Sequence, residues 1–437
     1  MKLKIKKWGI NGEGIAYYKK KPVFVMGALP DEVVDAEVVE DRERYLLAET
    51  KKVLEASPRR RKPMCGIWKE CGGCPLMHVD YKGQVRMKEA SLKEALKKYA
   101  GYTGPILPVL KNPDVLAYRN ACKLRFFNDD GKLGIGLYEK DSTHVVKMER
   151  CLVHEKELER ARVDILKVLN EHHAKAFSKR DDAGYRTLVM KSFDGKIQVV
   201  LVTGAQEIEP EIVQGIMAIE GVVSLWQSVK SRDENEVDVF GKTMIHLAGE
   251  EKIEVQVCGL KLHLLPRSFF QLNTKQAQRL YEVVREWTPK SKGIVEAYCG
   301  IGAMALLVSG KAKKVVGIES IKDAVINAQE NAKQKGIENV RFVCGDAGVE
   351  LKKIGQTMPV DTLIVDPPRS GLNAQMREAI RESKIETIVY VSCNPSTLAK
   401  DIADLKAYRI VKVQPVDMFS QTPHVETVCL MSRREKK

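Results

Sequence analysis

The first part of the chain alternates apolar and polar residues in short runs that glycines interrupt. Alternation with a period of two is typical of strands with one buried face, and it predicts strands at residues 23–25, 33–39 and 45–48. Short strands in a lysine-rich segment fit the oligonucleotide-binding (OB) type of barrel. We therefore predict an OB-like β-barrel over residues 1–57. The alternative is a packing module whose charge only keeps it in solution.

The next segment mixes helical and strand-like periodicity. Residues 87–98 have the apolar spacing of a helix, whereas Asp129-Asp130-Gly131 and Asp194-Gly195 are typical hairpin turns between β-rich runs. This mixture predicts an α+β central domain, which we assign to residues 58–264.

From about residue 265 the pattern becomes a regular alternation of short apolar strands and helical segments. The predicted strands are residues 294–298, 314–318, 361–365 and 387–391. Such alternation is typical of parallel strands with right-handed helical crossovers, so residues 265–437 are predicted to form a Rossmann-like α/β domain. In sheets of this kind ligands bind beyond the carboxyl ends of the strands.

Composition and charge indicate the class of partner. The chain has 437 residues, enough for two or three domains, and 44% of them are hydrophobic. A formal net charge of +14 favours a polyanionic partner, and nucleic acid most of all. No apolar run approaches the roughly 18 residues of a spanning helix, and the basic N-terminus lacks an apolar signal core. We expect a cytosolic (cytoplasmic) protein with no membrane partner.

Three of the ten cysteines are clustered, at Cys65, Cys71 and Cys74, with two glycines inside the turn. Disulfides are rare in the cytosol, so this C-x5-C-x2-C spacing indicates metal ligands. Cys151 is the best candidate for the fourth ligand. The others in apolar surroundings are predicted to be small buried hydrophobes: Cys122, Cys258, Cys299, Cys344 and Cys429. Spacing alone leaves zinc, an iron–sulfur cluster or no metal open.

A glycine turn, Cys299-Gly300-Ile301-Gly302, joins the first strand of the α/β domain to a helical segment. Glu319 ends the next strand 17 residues after Gly302, close to where Rossmann-like folds place an acid on a ribose hydroxyl. Because a third glycine is missing, S-adenosylmethionine is favoured over a dinucleotide. Asp346 then suits the adenine side of the pocket. The alternative for Glu319 is an exposed acid that caps the following helix.

Three further motifs place reactive side chains at predicted strand ends. They contain Asp366 in Asp-Pro-Pro-Arg-Ser-Gly, Cys393 in Ser-Cys-Asn-Pro-Ser-Thr-Leu, and Glu426 in His-Val-Glu. Together they supply an acid, a thiol and a base. Their ordinary alternatives are a helix cap, a buried cysteine and a surface acid.

These motifs, with residues 296–302, closely resemble those of the RNA uracil-C5 methyltransferases, and the resemblance extends over nearly the whole chain. It implies that Cys393 is the nucleophile that adds to uracil C6, that Glu426 removes the C5 proton, and that Asp366 lies beside cofactor and target base. The further S-adenosylmethionine contacts that it implies are Gln271 and Tyr298. Ser420 replaces a proline often found in the loop before Glu426, which makes the stiffness of that loop uncertain.

The resemblance also covers the N-terminal half of the chain. Gly12-Glu13-Gly14 with residues 28–32 resembles the TRAM domain, a small RNA-binding barrel. Many members of the family carry a [4Fe-4S] cluster on cysteines at the spacing seen here, which implies such a cluster on Cys65, Cys71, Cys74 and Cys151.

The leading expectation is an S-adenosylmethionine-dependent methyltransferase that makes 5-methyluridine in 23S ribosomal RNA after flipping the base out. We expect a monomer, because the enzyme binds a large RNA. The ribosomal target follows from the TRAM-like barrel and cysteine cluster, which are commoner in the 23S branch of the family. Transfer RNA is the alternative candidate for the substrate. A redox-sensing iron–sulfur protein that binds RNA without catalysis is the alternative from another class.

Overall fold

The computed structural model describes residues 1–140, 142–235 and 238–435. Its N-terminal strands are β1 (Lys2–Lys4), β2 (Lys7–Trp8), β3 (Gly14–Tyr18), β4 (Lys21–Met26), β5 (Val33–Arg42) and β6 (Tyr45–Glu55). They form a six-stranded sheet in the order β1-β5-β6-β4-β3-β2. Burial alternates along these strands, as the sequence pattern predicted: Val23 and Val25 are buried in the core and Phe24 between them is half-buried.

A helical segment links this sheet to the central one. It contains the short helix α1 (Trp68–Cys71) and the long helix α2 (Tyr81–Ala100). Asp80 caps α2, since its carboxylate accepts a hydrogen bond from the Gly83 amide, and Gly101 ends the helix in the left-handed conformation.

The central sheet has seven strands, and two helices pack on one face. The elements are β7 (Ala121–Asp129), β8 (Lys132–Tyr138), β9 (Val145–Lys147), α3 (Lys156–Glu171), β10 (Tyr185–Phe193), β11 (Lys196–Thr203), α4 (Pro210–Met217), β12 (Val222–Val229) and β13 (Thr243–Gly249). The strand order is β13-β12-β11-β10-β7-β8-β9. Both predicted hairpin turns are present, between β7 and β8 and between β10 and β11.

The C-terminal part of the chain forms a second seven-stranded sheet, preceded by a hairpin. Its elements are β14 (Ile253–Val257), β15 (Leu260–Leu264), α5 (Thr274–Trp287), β16 (Ser291–Ala297), α6 (Ala303–Leu307), a 3-10 turn (Ser309–Lys311), β17 (Ala312–Glu319), α7 (Lys322–Gln334), β18 (Val340–Cys344), α8 (Ala347–Thr357), β19 (Thr362–Val365), α9 (Ala374–Glu382), β20 (Thr387–Ser392), α10 (Pro395–Asp404), β21 (Tyr408–Val416) and β22 (Glu426–Arg433).

The order of this sheet is β18-β17-β16-β19-β20-β22-β21. The first five strands pair in parallel, whereas β22 is antiparallel to both β20 and β21. The predicted parallel α/β domain is confirmed, and the antiparallel pair at one side is a feature that the sequence pattern did not reveal.

Helix α2 packs against the C-terminal sheet layer. Leu92, Ala95 and Leu96 belong to the same apolar core as Leu363 and Leu398. The domain boundaries inferred from the sequence stay predictions, but the packing of α2 ties it to the α/β core. Among the residues that the structure describes, no helix is long and apolar enough to cross a membrane.

Candidate active site and cysteine site

Five candidate residues lie at one edge of the C-terminal sheet. Because β16 to β20 are parallel, their carboxyl ends meet at this edge, which we call the carboxyl edge. The residues that lie at or just beyond the strand ends are Tyr298, Glu319, Asp346, Asp366 and Cys393. Ala297, the last residue of β16, pairs with Ile318 on one side and Val365 on the other, so this register places the turn after β16 between Glu319 and Asp366.

The glycine turn after β16 is held by Glu319. One carboxylate oxygen of Glu319 accepts a hydrogen bond of 3.0 Å from the Gly300 amide, and the other accepts one of 3.0 Å from the Ile321 amide. Tyr298 and Gly302 both have positive φ, at 65° and 80°. A Cβ at position 302 would lie 2.4 Å from a ring carbon of Phe342, so only glycine fits there. Glu319 therefore contacts both the glycine turn and the start of the next helix.

Asp346 is an exposed helix cap at the end of the neighbouring strand. Its carboxylate accepts hydrogen bonds from the amides of Gly348 and Val349, at 2.9 and 3.1 Å. Its second oxygen accepts one from the Asn373 side chain at 3.2 Å. The structure thus orients an exposed acid at the same edge as Glu319, with two strands, β17 and β16, between the strand before Asp346 and the strand before Asp366.

Asp366 begins the loop that follows β19. Burial raises the pKa of its carboxyl to about 7. The loop turns at Gly371, whose φ is 81° and whose amide donates to the Pro368 carbonyl at 2.8 Å. The Arg369 carbonyl accepts a hydrogen bond of 3.2 Å from the Asn394 side chain. This contact joins the Asp366 loop to the residue that follows Cys393.

Cys393 lies between the last residue of β20 and the first of α10, and its side chain is half-buried. Asn394 caps α10, accepting a hydrogen bond of 3.0 Å from the Ser396 amide. Burial, and then the charges of Glu426 and Asp366, raise the pKa of the Cys393 thiol to about 11, and Arg369 opposes them.

Glu426 is the first residue of β22, and its register brings it beside Cys393. Ser392 of β20 pairs with Thr427, so the next residue of each strand toward the carboxyl edge is Cys393 on one and Glu426 on the other. Glu426 is only 4% exposed. Burial and then the charge of Asp366 raise its pKa to about 8, while Arg369 and Lys88 lower it. The thiol and the two acids thus form one electrostatically coupled group.

Arg369 and His424 border this group. The Arg369 guanidinium lies 3.3 Å from the His424 Nε2 atom. Burial, followed by the charges of Arg369, Lys88 and Arg119, lowers the pKa of His424 to about 4, so its ring is neutral at pH 7. Neither Arg369 nor His424 was among the candidate site residues predicted from the sequence.

Gln271 lies in the loop before α5 and is 7% exposed. Its carbonyl accepts a hydrogen bond of 2.9 Å from the Asn120 side chain, which also donates to Thr274 at 2.8 Å. The preceding Phe270 belongs to the same apolar core as Ile301 of the glycine turn. Gln271 is therefore held by the central segment rather than by the strand ends.

Glu296 of β16 is a buried acid that the sequence reasoning missed as a functional candidate. It is 1% exposed, one oxygen accepts from the Ala305 amide at 2.6 Å, and the other has no hydrogen-bond partner. Burial raises its pKa well above the usual value. The sequence signal that could have identified Glu296 was an acidic residue inside an otherwise apolar predicted strand.

The four candidate metal ligands lie around one cavity. Its lining includes Cys65, Cys71, Cys74 and Cys151, together with Trp68, Met77 and Met148. A Cβ at Gly73 would lie 3.3 Å from the Cys71 sulfur, so glycine leaves that thiol uncrowded. The Trp68 indole donates to the Cys74 carbonyl at 2.8 Å and fixes the turn. The structure thus brings Cys151 to the three clustered cysteines.

In the part of the chain that the structure describes, no group of three or more His, Cys, Asp or Glu side chains is arranged to hold a metal ion. Of the five cysteines predicted to be buried, Cys122, Cys299 and Cys429 are buried, Cys258 is half-buried, and the prediction is wrong for Cys344, which is exposed. β18 buries Val340 and Phe342, but its last residue faces solvent.

Comparison with protein families identifies the class of enzyme to which this site belongs. The family model described as tRNA (Uracil-5-)-methyltransferase matches residues 80–434, and the TRAM domain model matches residues 1–51. The chain belongs to this uracil-5-methyltransferase family. It is an S-adenosylmethionine-dependent RNA methyltransferase with an N-terminal TRAM domain.

Relatives of this methyltransferase match it from end to end. An uncharacterized RNA methyltransferase of Bacillus cereus is 36% identical over 442 residues, covering 98% of this chain and 96% of the relative. One of Halalkalibacterium halodurans is 35% identical over 444 residues, covering 98% and 95%. The crystal structure of Pyrococcus abyssi tRNA (uracil-54, C5)-methyltransferase with S-adenosyl-L-homocysteine has a TM-score of 0.81, at 26% identity, and covers 99% of this chain and 100% of that one.

Proposed function

We propose that this methyltransferase modifies uridine C5 through a covalent adduct with Cys393, and that Glu426 removes the C5 proton. The observation that carries the proposal is the register of β20 and β22, which sets the thiol beside the carboxyl group at the carboxyl edge. Their shared electrostatics, in which Glu426 acts on the pKa of Cys393, supports the same pairing.

The chemistry explains why the two groups are needed together. The Cys393 thiolate adds to C6, which moves the C5–C6 electron pair into an enolate and makes C5 nucleophilic. C5 then attacks the methyl carbon of the sulfonium, so that the C5–CH3 bond forms and S-adenosylhomocysteine leaves. Glu426 takes the C5 proton, the C5–C6 double bond re-forms and the C6–sulfur bond breaks. Cys393 returns to its starting state.

The same edge supplies candidate contacts for S-adenosylmethionine. We assign the ribose hydroxyls to Glu319, the adenine side to Asp346, and further contacts to Gln271, Tyr298 and Asp366. The glycine turn supports this assignment because a Cβ at Gly300 would meet nothing within 4 Å, so the backbone there is open to a ligand. When bound, the cofactor supplies the methyl group, and the protein contributes its orientation toward Cys393.

The test is the product. Purified protein is incubated with S-adenosylmethionine and unmodified RNA, and nucleosides are identified by mass spectrometry. We expect 5-methyluridine from the native protein and none from Cys393→Ala, while Cys429→Ala, a change of a buried cysteine away from the carboxyl edge, retains the product. If Cys393→Ala still makes 5-methyluridine, the covalent mechanism is wrong. If the native protein makes no 5-methyluridine but binds RNA, the result supports the alternative of an RNA-binding protein without catalysis.

For the substrate, we propose 23S ribosomal RNA, on the combination of TRAM barrel and cysteine cavity. Transfer RNA is a second candidate with its own support, because the Pyrococcus abyssi structure that matches over 99% of this chain is of a tRNA (uracil-54, C5)-methyltransferase. Fractionating the RNA before nucleoside analysis distinguishes them: 5-methyluridine in the 23S fraction supports the first and in the tRNA fraction the second.

We further propose that Cys65, Cys71, Cys74 and Cys151 hold a [4Fe-4S] cluster. The four thiols line one cavity, and four cysteines are the usual donor set for a cubane cluster. Four cysteines can also hold a single zinc ion, and metal and sulfide analysis distinguishes the two. When bound, the cluster would cross-link the turn to Cys151. The methyl transfer needs no electron, so its proposed role is structural.

Iron and acid-labile sulfide in anaerobically purified protein test this proposal. About four of each per chain are expected, falling strongly in Cys151→Ser and staying constant in Cys258→Ser, which alters a half-buried cysteine outside the cavity. Stoichiometric zinc without sulfide would contradict it. Base flipping, a monomeric state and a cytosolic location stay predictions.

A further inference from the structure

One face of α2 is polar and points at the segment between β21 and β22. Tyr81, Gln84 and Lys88 stand at positions i, i+3 and i+7 of the helix, which places them on one side. All three bind residues 417–421, which we call the 417–421 segment. That segment ends five residues before Glu426.

The first contact is a fully buried ion pair. Lys88 and Asp417 have side chains that are 0% and 1% exposed, and the Lys88 ammonium donates to one Asp417 oxygen and, at 2.9 Å, to the Phe419 carbonyl. The other Asp417 oxygen accepts from the Tyr81 and Ser420 hydroxyls, each at 2.8 Å. Every oxygen of this buried carboxylate therefore has a partner, which is the condition for a buried pair to be tolerated.

The second contact consists of two hydrogen bonds between Gln84 and Gln421. The Gln84 side-chain nitrogen donates to the Gln421 side-chain oxygen at 2.9 Å, and the Gln84 side-chain oxygen accepts from the Gln421 backbone N–H at 2.8 Å. Gln421 has a φ of 69°, a conformation that non-glycine residues adopt only when surrounding contacts impose it. Its carbonyl accepts from the Leu76 amide at 2.9 Å. The segment is thus held in an uncommon conformation by fixed partners.

We propose that Lys88 and Gln84 are positioning residues for Glu426: they hold the 417–421 segment so that β22 begins with the Glu426 carboxyl beside Cys393. The inference rests on the proposed role of Glu426 as base. β21 ends at the carboxyl edge, where Val416 pairs with Glu426. The 417–421 segment begins the connection that turns the chain there into β22, so its conformation affects where β22 starts.

Charge supports the same assignment. The groups that act on Glu426 are Asp366 after β19, Arg369 in the following loop, and Lys88 on α2, with Cys393 facing it from β20. Lys88 is the one buried cation of this set, and it favours the carboxylate form that proton abstraction requires. Asp417 offsets part of its charge, so we expect positioning to be the larger effect.

The experiment separates adduct formation from adduct resolution. The variants are Gln84→Met and the double variant Lys88→Met/Asp417→Asn, which leaves no unpaired buried charge. Lys93→Met, an exposed lysine of the same helix, is the matched control. Labelled RNA and S-adenosylmethionine are mixed with each protein, and the covalent RNA–protein adduct is followed on denaturing gels. Thermal unfolding and S-adenosylhomocysteine binding are measured on the same samples.

We expect both test variants to bind S-adenosylhomocysteine normally, to form adduct within about twofold of the native rate, and to resolve it about tenfold or more slowly, since loss of a placed base typically costs at least that much. Lys93→Met should resolve it normally. Equal slowing of both steps, or normal resolution in both variants, would overturn the proposal. Glu426→Gln serves as the reference: if it does not accumulate adduct, the role of Glu426 as base fails, which is a separate result.

Discussion

At the scale of single residues, burial opposes ionisation of the thiol and of both acids at the carboxyl edge, and the charge of a neighbouring acid adds to it for Cys393 and Glu426. The pKa of Cys393 is raised to about 11, of Glu426 to about 8 and of Asp366 to about 7. The thiolate is the reactive form of cysteine and the carboxylate is the basic form of glutamate. Near neutral pH the free enzyme therefore holds both groups mostly in their protonated forms.

The pH dependence of catalysis follows from these pKa values. A carboxyl whose pKa is raised to about 8 is protonated below that pH and cannot accept a proton, so kcat/KM should rise by more than about tenfold per pH unit up to about pH 8. Above pH 8 it should still rise about tenfold per unit, because the pKa of the Cys393 thiol is about 11. Methyl incorporation between pH 6 and 9, at fixed ionic strength, is the measurement. A kcat/KM that is flat from pH 6 to 8 would show that Glu426 is ionised throughout.

The glycine turn gives a second residue-scale prediction. In Gly302→Ala the new Cβ would lie 2.4 Å from Phe342 at a φ of 80°, so we expect a loss of about 1–3 kcal/mol in unfolding free energy and weaker S-adenosylhomocysteine binding. Gly310→Ala, where nothing lies within 4 Å, is the matched control. Chemical denaturation and calorimetry measure the two effects. Equal behaviour of the two variants would contradict the steric argument.

At the scale of elements, the loop after β19 and the start of α10 form one unit around Cys393. Asp401 of α10 accepts from the Leu372 amide at 2.8 Å and from the Tyr390 hydroxyl at 2.7 Å. Asn394 caps the helix and also donates to Arg369 in the loop. A change in α10 is thereby passed to the Asp366 loop as well as to the thiol.

Replacing the cap tests this coupling. Asn394→Ala should cost about 1 kcal/mol of stability, as cap losses usually do, and should also lower kcat because the Arg369 loop loses a contact. Asn373→Ala removes the cap of α9 instead and should cost similar stability with a smaller effect on kcat at saturating S-adenosylmethionine. Urea unfolding measures the change in stability, and steady-state kinetics measure the change in kcat. If both variants lose kcat equally, the cap acts through stability alone.

At the scale of the whole molecule, the TRAM sheet packs on the segment that carries the cysteines. Trp8 and Leu29 share an apolar cluster with Leu76, Val79 and Met87. The contacts therefore run from the TRAM sheet through the cysteine segment to α2 and the 417–421 segment. The net charge of +14 belongs to this assembled body and attracts a phosphate backbone.

Salt should weaken RNA binding far more than cofactor binding. Phosphate contacts release counterions, so RNA affinity should fall by about 100-fold or more between 50 and 200 mM salt, while affinity for S-adenosylhomocysteine changes by about twofold or less. Filter binding and calorimetry across this range provide both curves. An RNA affinity independent of salt would mean that the basic residues do not contact the backbone.

Local sequence patterns predicted many of the elements and the reactive residues. Period-two alternation located β4, β5 and β6 of the TRAM sheet but not β1, β2 and β3, turn residues located both hairpins of the central sheet, and the motifs around Cys393 and Glu426 indicated the candidate chemistry. These signals are local because dihedral preferences and side-chain periodicity act over a few residues.

Which of these residues meet depends on contacts between distant segments of the chain. Cys393 and Glu426 are adjacent because β22 turns antiparallel beside β20, and Lys88 reaches Asp417 across 329 positions of the chain. Cys151 joins the cysteine turn, whereas Cys344 is left exposed at a strand end. Sheet register and packing between distant segments set such contacts, and a pattern read over a short window carries no information about them.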